Sequence, residues 1–229
     1  MSRFPRITPV ADHALLVEFA ETISDAAHSR VLALDQAIAG APMPGLRECV
    51  PAFVNLLVDF DPLVTDHTTV AQAVHLLLAE AEAPARTPAL REVQVCYDAD
   101  FAPDLPEVAR RTNLTAEAVI AAHLAGRYQV FLYGFAPGYA YLAGVPPVLQ
   151  LDRKPAPVRG IAAGSVIIAG AQCLVTTLVM PTGWWVIGRS PTRILTGQAQ
   201  RPFLFDVGDQ VAFRRISRAD FDAAGRADG

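Results

Sequence analysis

Two rhythms of apolar and polar positions divide this chain. Asp12–Phe19 alternates as a strand, and Glu21–Ala39 then repeats Ala27, Val31, Leu34 and Ile38 at helical spacing. Ser24 is placed to cap that helix, and Gly40 and Pro42 stop it. Leu46–Val50 and Phe53–Phe60 read as strands around Pro51, and Asp61-Pro62 closes the second. Asp66 or Thr68 opens another helix, with Val70, Val74, Leu77 and Leu78 on one face. The order β-α-β-β-α predicts a small α/β unit over residues 1–85, ending in the linker-like segment Ala83–Pro88. Beyond it, Leu90–Cys96 alternates as a strand, and Leu105–Arg111 and Thr115–Leu124 read as short helices. From Tyr128 the helical period is lost. Short apolar runs broken by Gly and Pro continue until a last helix at Arg218–Ala224. Residues 86–229 are therefore expected to form a β domain closed, or nearly closed, into a barrel, making the whole an α+β chain of two domains.

Composition excludes some classes. With 52% hydrophobic and 18% charged residues among 229, the chain is not a disordered one. A net charge of −4 argues against a general nucleic-acid binder. Residues 1–150 carry 9 basic and 17 acidic groups, and residues 151–229 carry 10 and 6. No charge at all falls between Arg159 and Arg189. The 29 residues Gly160–Gly188 are long enough to cross a bilayer, but Gly160, Gly164, Gly170, Pro181 and Gly183 interrupt them. Runs such as Val166-Ile167-Ile168 read instead as buried strands, and no membrane partner is expected. The apolar stretch Ala14–Val17, closed by Glu18, is too short for a secretory signal. Cys49, Cys96 and Cys173 form no disulfide or metal framework, which points to a reduced, cytoplasmic setting and no metal site.

Four segments could carry chemistry. Phe131–Tyr141 holds five of the chain's 18 aromatic residues. In it Phe131, Tyr133 and Phe135 share a strand face, Ala136-Pro137-Gly138 turns, and Tyr139 and Tyr141 line the return. Gly134 and Gly138 would let a ligand approach the backbone. The alternative is an aromatic hairpin that plugs a core. Leu151–Arg159 is a Pro-rich loop with Arg153, Lys154 and Arg159, either an anion-binding fork or a solvated basic loop. Gly164-Ser165, followed by Gly170 and Gln172, offers a hydroxyl at a strand entrance, or an ordinary turn. Arg189, after Trp184-Trp185, emerges from a buried strand end, to meet a ligand or to pair with Asp206 or Asp209.

The absences narrow the choice. All five histidines precede residue 124, and no carboxylate lies between Asp152 and Asp206. The β region has no Ser-His-Asp set, and the chain has no glycine-rich phosphate loop ending in Lys. What remains are arginine, amide, hydroxyl and backbone donors, which bind anions well and move protons poorly. His123 is the one histidine near the aromatic strand, and a lone helical histidine is more often packed.

At these residues the chain resembles the family formed by the B subunits of bacterial ATP-dependent 5-oxoprolinases, also called allophanate hydrolase subunit 1 or the KipI family, which is related to carboxyltransferase subdomains C and D of urea carboxylase. The matching segments are Pro44–Pro62, Leu132–Leu142 (LYGFAPGYAYL), Asp152–Thr177, Met180–Leu195 (MPTGWWVIGRSPTRIL) and Val207–Phe213. The resemblance implies a small α/β domain followed by a cyclophilin-like antiparallel β-barrel. It also implies ATP-driven opening of 5-oxoproline to glutamate, shared with a homologous C subunit and an A subunit, this chain being inactive alone. Arg153, Ser165, Gln172 and Arg189 are then the expected catalytic residues. Gly134, Phe135, Pro137, Gly138, Tyr139, Tyr141, Gly164 and Arg159 are the expected contacts to a small amide or carboxylate substrate. Two glycines of the family pattern are replaced by Ile167 and Leu174, removing two points of close backbone approach. A carboxyl-transfer component of a urea- or allophanate-metabolising system, or a KipI-like inhibitor of a sensor histidine kinase, are the alternatives.

Overall fold

The structure, a computed structural model, describes residues 4–41, 43–80 and 87–227. The chain forms two compact units that part between Thr87 and Pro88. Most of the expected linker Ala83–Pro88 lies outside the described residues.

The first unit runs β1 (Arg6–Val10), β2 (Ala14–Glu18), α1 (Asp25–Gly40), β3 (Leu46–Pro51), β4 (Asn55–Phe60) and α2 (His67–Glu80). Its antiparallel sheet has the order β1-β2-β4-β3. Alternate residues Leu15, Val17, Leu56, Val58 and Phe60 face a core completed by Val31, Leu34 and Ile38 of α1 and Val70 and Val74 of α2. Ser24 caps α1 by accepting from the amide of Ala27, and Asp66 accepts from the amide of Thr69 at the start of α2. The sequence pattern missed β1. Four of its five residues are exposed, so no apolar alternation marks it.

The second unit begins with β5 (Leu90–Val95), α3 (Leu105–Thr112) and α4 (Ala116–Ala125). Then come β6 (Tyr128–Tyr133), β7 (Ala140–Ala143), β8 (Val158–Ile161), β9 (Ser165–Ala169), β10 (Gln172–Val175), β11 (Met180–Thr182) and β12 (Trp185–Arg189). The unit closes with β13 (Leu195–Gln198), β14 (Arg201–Phe203), β15 (Gln210–Arg215) and α5 (Arg218–Ala227). Seven strands form one sheet in the order β12-β9-β10-β7-β6-β15-β5. Its two edges meet where Cys96, just past β5, exchanges backbone hydrogen bonds of 2.8 and 2.9 Å with Arg189 of β12. That contact makes the sheet a nearly closed barrel. It is not wholly antiparallel, because β5 and β15 run parallel over six residue pairs.

The uncharged stretch has a structural cause. Every residue of β9 is buried, on both faces of the sheet. Val166 and Ile168 belong to the barrel core with Trp185, Ile187 and Phe205. Ile167 and Ala169 belong to a separate cluster with Tyr139, Leu174, Trp184 and Val186. A charge on either face would be stranded in apolar surroundings. No helix among the described residues is long and apolar enough to cross a membrane.

Candidate functional site

That second apolar cluster floors an open cavity of about 260 Å³ on the side of the sheet away from the barrel core. Phe135 and Tyr139 come from the β6–β7 turn, Tyr141 from β7, Ile167 and Leu174 from β9 and β10, and Trp184 from the position just before β12. Arg153 brings the one charged side chain of the lining among the described residues. The antiparallel ribbon of β8 and β11 flanks it, β11 contributing Met180, Pro181 and Thr182.

The aromatic rings are fixed against one another. Tyr141 meets Trp184 edge-on at 5.9 Å, and Phe135 tilts against Tyr139 at 5.7 Å. The Arg153 guanidinium lies over the Trp184 ring at 5.8 Å and is otherwise exposed. Burial pushes the Tyr139 and Tyr141 hydroxyls up from their ordinary range; Arg153 pulls Tyr141 the other way but does not overcome burial. Both phenols are therefore neutral at physiological pH and can donate hydrogen bonds. Phe135 is 73% exposed and holds a left-handed φ of 70°, unfavourable for a bulky residue. A tight turn enforces it: Ala136 N–H donates to Gly134 O, and Tyr139 N–H to Ala136 O. An exposed phenyl ring in a strained turn at a cavity mouth is the kind of outlier that function maintains.

The cavity thus combines flat apolar walls, neutral hydroxyl donors and one guanidinium. Among the described residues it is lined by no carboxylate, imidazole or thiol. Such a site can bind a small ring bearing a carboxylate, and it has no group that exchanges protons near neutral pH.

The comparisons with known proteins agree with this architecture. Residues 5–205 match the carboxyltransferase domain, subdomain C and D. The chain belongs to that family. It is 37% identical, over 95% of both chains, to a protein of Bacillus subtilis (strain 168) named as the B subunit of 5-oxoprolinase. The crystal structure of TTHA0988 superposes with a TM-score of 0.79 at 36% identity, covering 90% of this chain and spanning 40% of that one. Kluyveromyces lactis urea carboxylase shares the fold, with a TM-score of 0.75 at 15% identity over 95% of this chain and 22% of its own.

Of the residues the family motifs pointed to, the structure brings Phe135, Tyr139, Tyr141 and Arg153 together around this cavity. Gly134 and Pro137 shape the turn without lining it: Gly134 N–H donates to Tyr139 O, and Pro137 O accepts from the Thr177 hydroxyl at 2.6 Å. Gly138 serves packing, since at its φ of +74° an added Cβ would lie 2.8 Å from Leu195. Phe135 does not continue the strand face of Phe131 and Tyr133, because β6 ends at Tyr133.

The four expected catalytic residues do not form one group. Ser165 is buried, its hydroxyl donating to Ala162 O at 2.8 Å, so it is spent on the turn. Gln172 pairs with Ala169 and Ala143, at the opposite end of β9 and β10 from Ser165. Arg189 pairs in register with Ser165 and faces a different cavity, together with Gly164. Gly164 is required there because a Cβ would lie 2.4 Å from Ser190 O. Arg159 is exposed on β8 and lines neither cavity. Nor does Arg189 pair with the anticipated carboxylates: Asp209 is taken by Arg91 at 3.1 Å, and Asp206 faces Arg201 at 3.6 Å. Lys154 is not the solvated loop residue its Pro-rich setting suggested, since its side chain is largely buried against Asp104 at 2.5 Å.

Thr176, which lines both cavities, escaped the sequence reading, as did Thr182 beside Trp184. Their signal was weak, for a hydroxyl in an apolar strand looks the same whether it caps a turn or faces a ligand.

Proposed function

We propose that this chain is the B subunit of an ATP-dependent 5-oxoprolinase, acting with a homologous C subunit and an A subunit to open 5-oxoproline to glutamate. The observation that carries this reading is the make-up of the aromatic cavity. 5-Oxoproline is a small flat lactam with one carboxylate. Trp184, Tyr141 and Phe135 offer walls for the ring, and Arg153 offers a fork for the carboxylate. Among the described residues the lining holds no carboxylate, imidazole or thiol, which fits a division of labour in which partner proteins supply the proton transfers. The naming of the Bacillus subtilis relative as one subunit of an enzyme supports such a division of labour. In TTHA0988 the matching part is 40% of a longer chain, which supports a module working beside others.

The test is reconstitution. The chain, co-expressed with the A and C subunits from its own genome, should release glutamate from 5-oxoproline only when ATP is supplied, and the chain alone should release none. A folded complex that shows no such turnover overturns the reading. Carboxyl transfer from a biotin carrier to urea, or tight ATP-independent binding to a histidine-kinase dimerisation domain, would replace it.

A further inference from the structure

Phe135 is the outlier of the aromatic cavity. Tyr139 and Trp184 are buried walls, whereas the Phe135 ring lines the cavity and still stands 73% exposed. Packing within the fold therefore does not hold a phenyl ring at this position. Its backbone disfavours one as well. The φ of 70° and the 2.8 Å hydrogen bond from Ala136 N–H to Gly134 O make these three residues a γ-turn of the rare, strained hand. Glycine takes such a φ without steric cost. The chain has glycine before this position, at Gly134, and after it, at Gly138, and keeps phenylalanine between them.

The backbone under the ring is fixed. Gly134 N–H donates to Tyr139 O at 3.2 Å, and Tyr139 N–H to Ala136 O at 3.0 Å, which closes the turn. At its tip the Thr177 hydroxyl donates to Pro137 O, and Leu195 packs against Gly138. The ring itself has no such anchorage. Among the described residues its one ring partner is Tyr139, at 5.7 Å and tilted by 34°. Exposed side chains change rotamer within nanoseconds, so a rigid turn carries a phenyl ring free to swing at the cavity mouth. Swinging inward would bury an apolar face that now meets water, once a ligand supplies a surface to bury it against. A flat ring supplies the most, because it can stack on the phenyl face over its whole area. A puckered ring touches that face at a few atoms.

We propose that Phe135 is a lid for the aromatic cavity and sets its preference for flat rings. The turn holds the phenyl ring in waiting, and a planar ring carboxylate seated in the cavity draws it down and excludes water. That this ligand is 5-oxoproline rests on the 5-oxoprolinase reading; the lid and its flat-ring preference rest on the turn.

Calorimetric titration of the full chain with 5-oxoproline, pyrrole-2-carboxylate and cyclopentanecarboxylate tests the lid. The first two present flat rings and the third a puckered one. The wild-type chain should bind both flat probes saturably, and at least about ten-fold more tightly than the puckered one. Phe135→Gly should weaken the flat probes by about ten-fold and leave cyclopentanecarboxylate within about two-fold. It should also keep or raise the unfolding temperature, since glycine relieves the turn. Phe135→Tyr should keep the wild-type order of affinities, and Phe135→Leu, apolar but not flat, should lose it. Unchanged affinities in Phe135→Gly, an equal loss for flat and puckered probes, a lowered unfolding temperature, or no saturable binding of a flat probe by the folded wild-type chain would each overturn the lid. A complex without ATP-dependent turnover removes the 5-oxoprolinase reading and leaves standing a lid that passes these titrations, and turnover by the complex does not rescue a lid that fails them.

Discussion

Ile167 of β9 and Leu174 of β10 are register partners and together floor the aromatic cavity. Both are buried. They fill the floor with branched side chains, so this chain's cavity is shallower than one floored by backbone. Ile167→Ala or Leu174→Ala should each cost about 2–4 kcal/mol in urea unfolding, with the double variant departing from the sum because the two side chains touch. Each should also admit bulkier ring carboxylates. Variants of wild-type stability and unchanged ligand range would show that these residues do not set the floor.

Arg153 and Arg159 separate binding from mere surface charge. Arg153 lines the cavity over Trp184, whereas Arg159 is exposed on β8 and lines neither cavity. In the reconstituted complex, Arg153→Gln should raise the KM for 5-oxoproline by about ten-fold or more, and Arg159→Gln should not change it. Neither should alter stability by more than about 0.5 kcal/mol, as expected of surface substitutions. Equal kinetic effects of the two would remove Arg153 from the site.

Lys154, next in sequence to Arg153, has the opposite role. Its ammonium reaches Asp104, whose same carboxylate oxygen accepts the amide of Val186 at 2.7 Å, tying the 150s loop to β12 and the start of α3. Lys154→Ala leaves that carboxylate part-buried and unpaired and should cost about 3 kcal/mol, near the low end for broken buried pairs. Adding Asp104→Asn removes the stranded charge and keeps an acceptor for Val186, so the double variant should regain part of the loss. A double variant less stable than Lys154→Ala alone would refute that account.

What the sequence conveyed follows from how local each feature is. The cap at Ser24, the helix face of Val31, Leu34 and Ile38, and the uncharged β9 each depend on near neighbours or on burial of a whole strand. The aromatic segment announced the cavity wall for the same reason. The failures are non-local. Gly138 and Gly164 signal a close approach, and only the fold reveals that Leu195 and Ser190, not a ligand, approach them. The motif order suggested that Ser165, Gln172 and Arg189 act together, yet antiparallel pairing sends Gln172 to the far end of its strand. Lys154 and Asp104 lie 50 positions apart, and no spacing rule connects them.

His123 carries the last prediction. It is fully buried in the barrel core, with its Nδ1 2.7 Å from the Tyr97 hydroxyl and its ring 4.5 Å from that of Phe213. Burial pushes its pKa down to about 3. Burial also raises that of Tyr97, which stays protonated and donates to Nδ1, leaving the imidazole proton on Nε2 near Cys173. The sign of the linkage follows. Below an ordinary histidine pKa of about 6.5 the unfolded chain takes up a proton that the native state refuses. This contribution to stability is complete above that pH and is lost progressively as pH falls toward 3, the folded value. The expected slope is about 1.4 kcal/mol per pH unit once the unfolded histidine is protonated. Glu107, held down to about 2 by Arg110 and Arg111, adds its own loss only at lower pH, as the unfolded carboxylate begins to protonate. Urea unfolding between pH 7 and 5 keeps Glu107 out of the comparison, and the difference between wild type and His123→Gln isolates this histidine from the buried His28. His123→Gln, which keeps an acceptor for Tyr97, should lower stability at pH 7 and flatten the decline toward pH 5. Parallel wild-type and variant curves over that range would mean that His123 does not remain neutral in the fold.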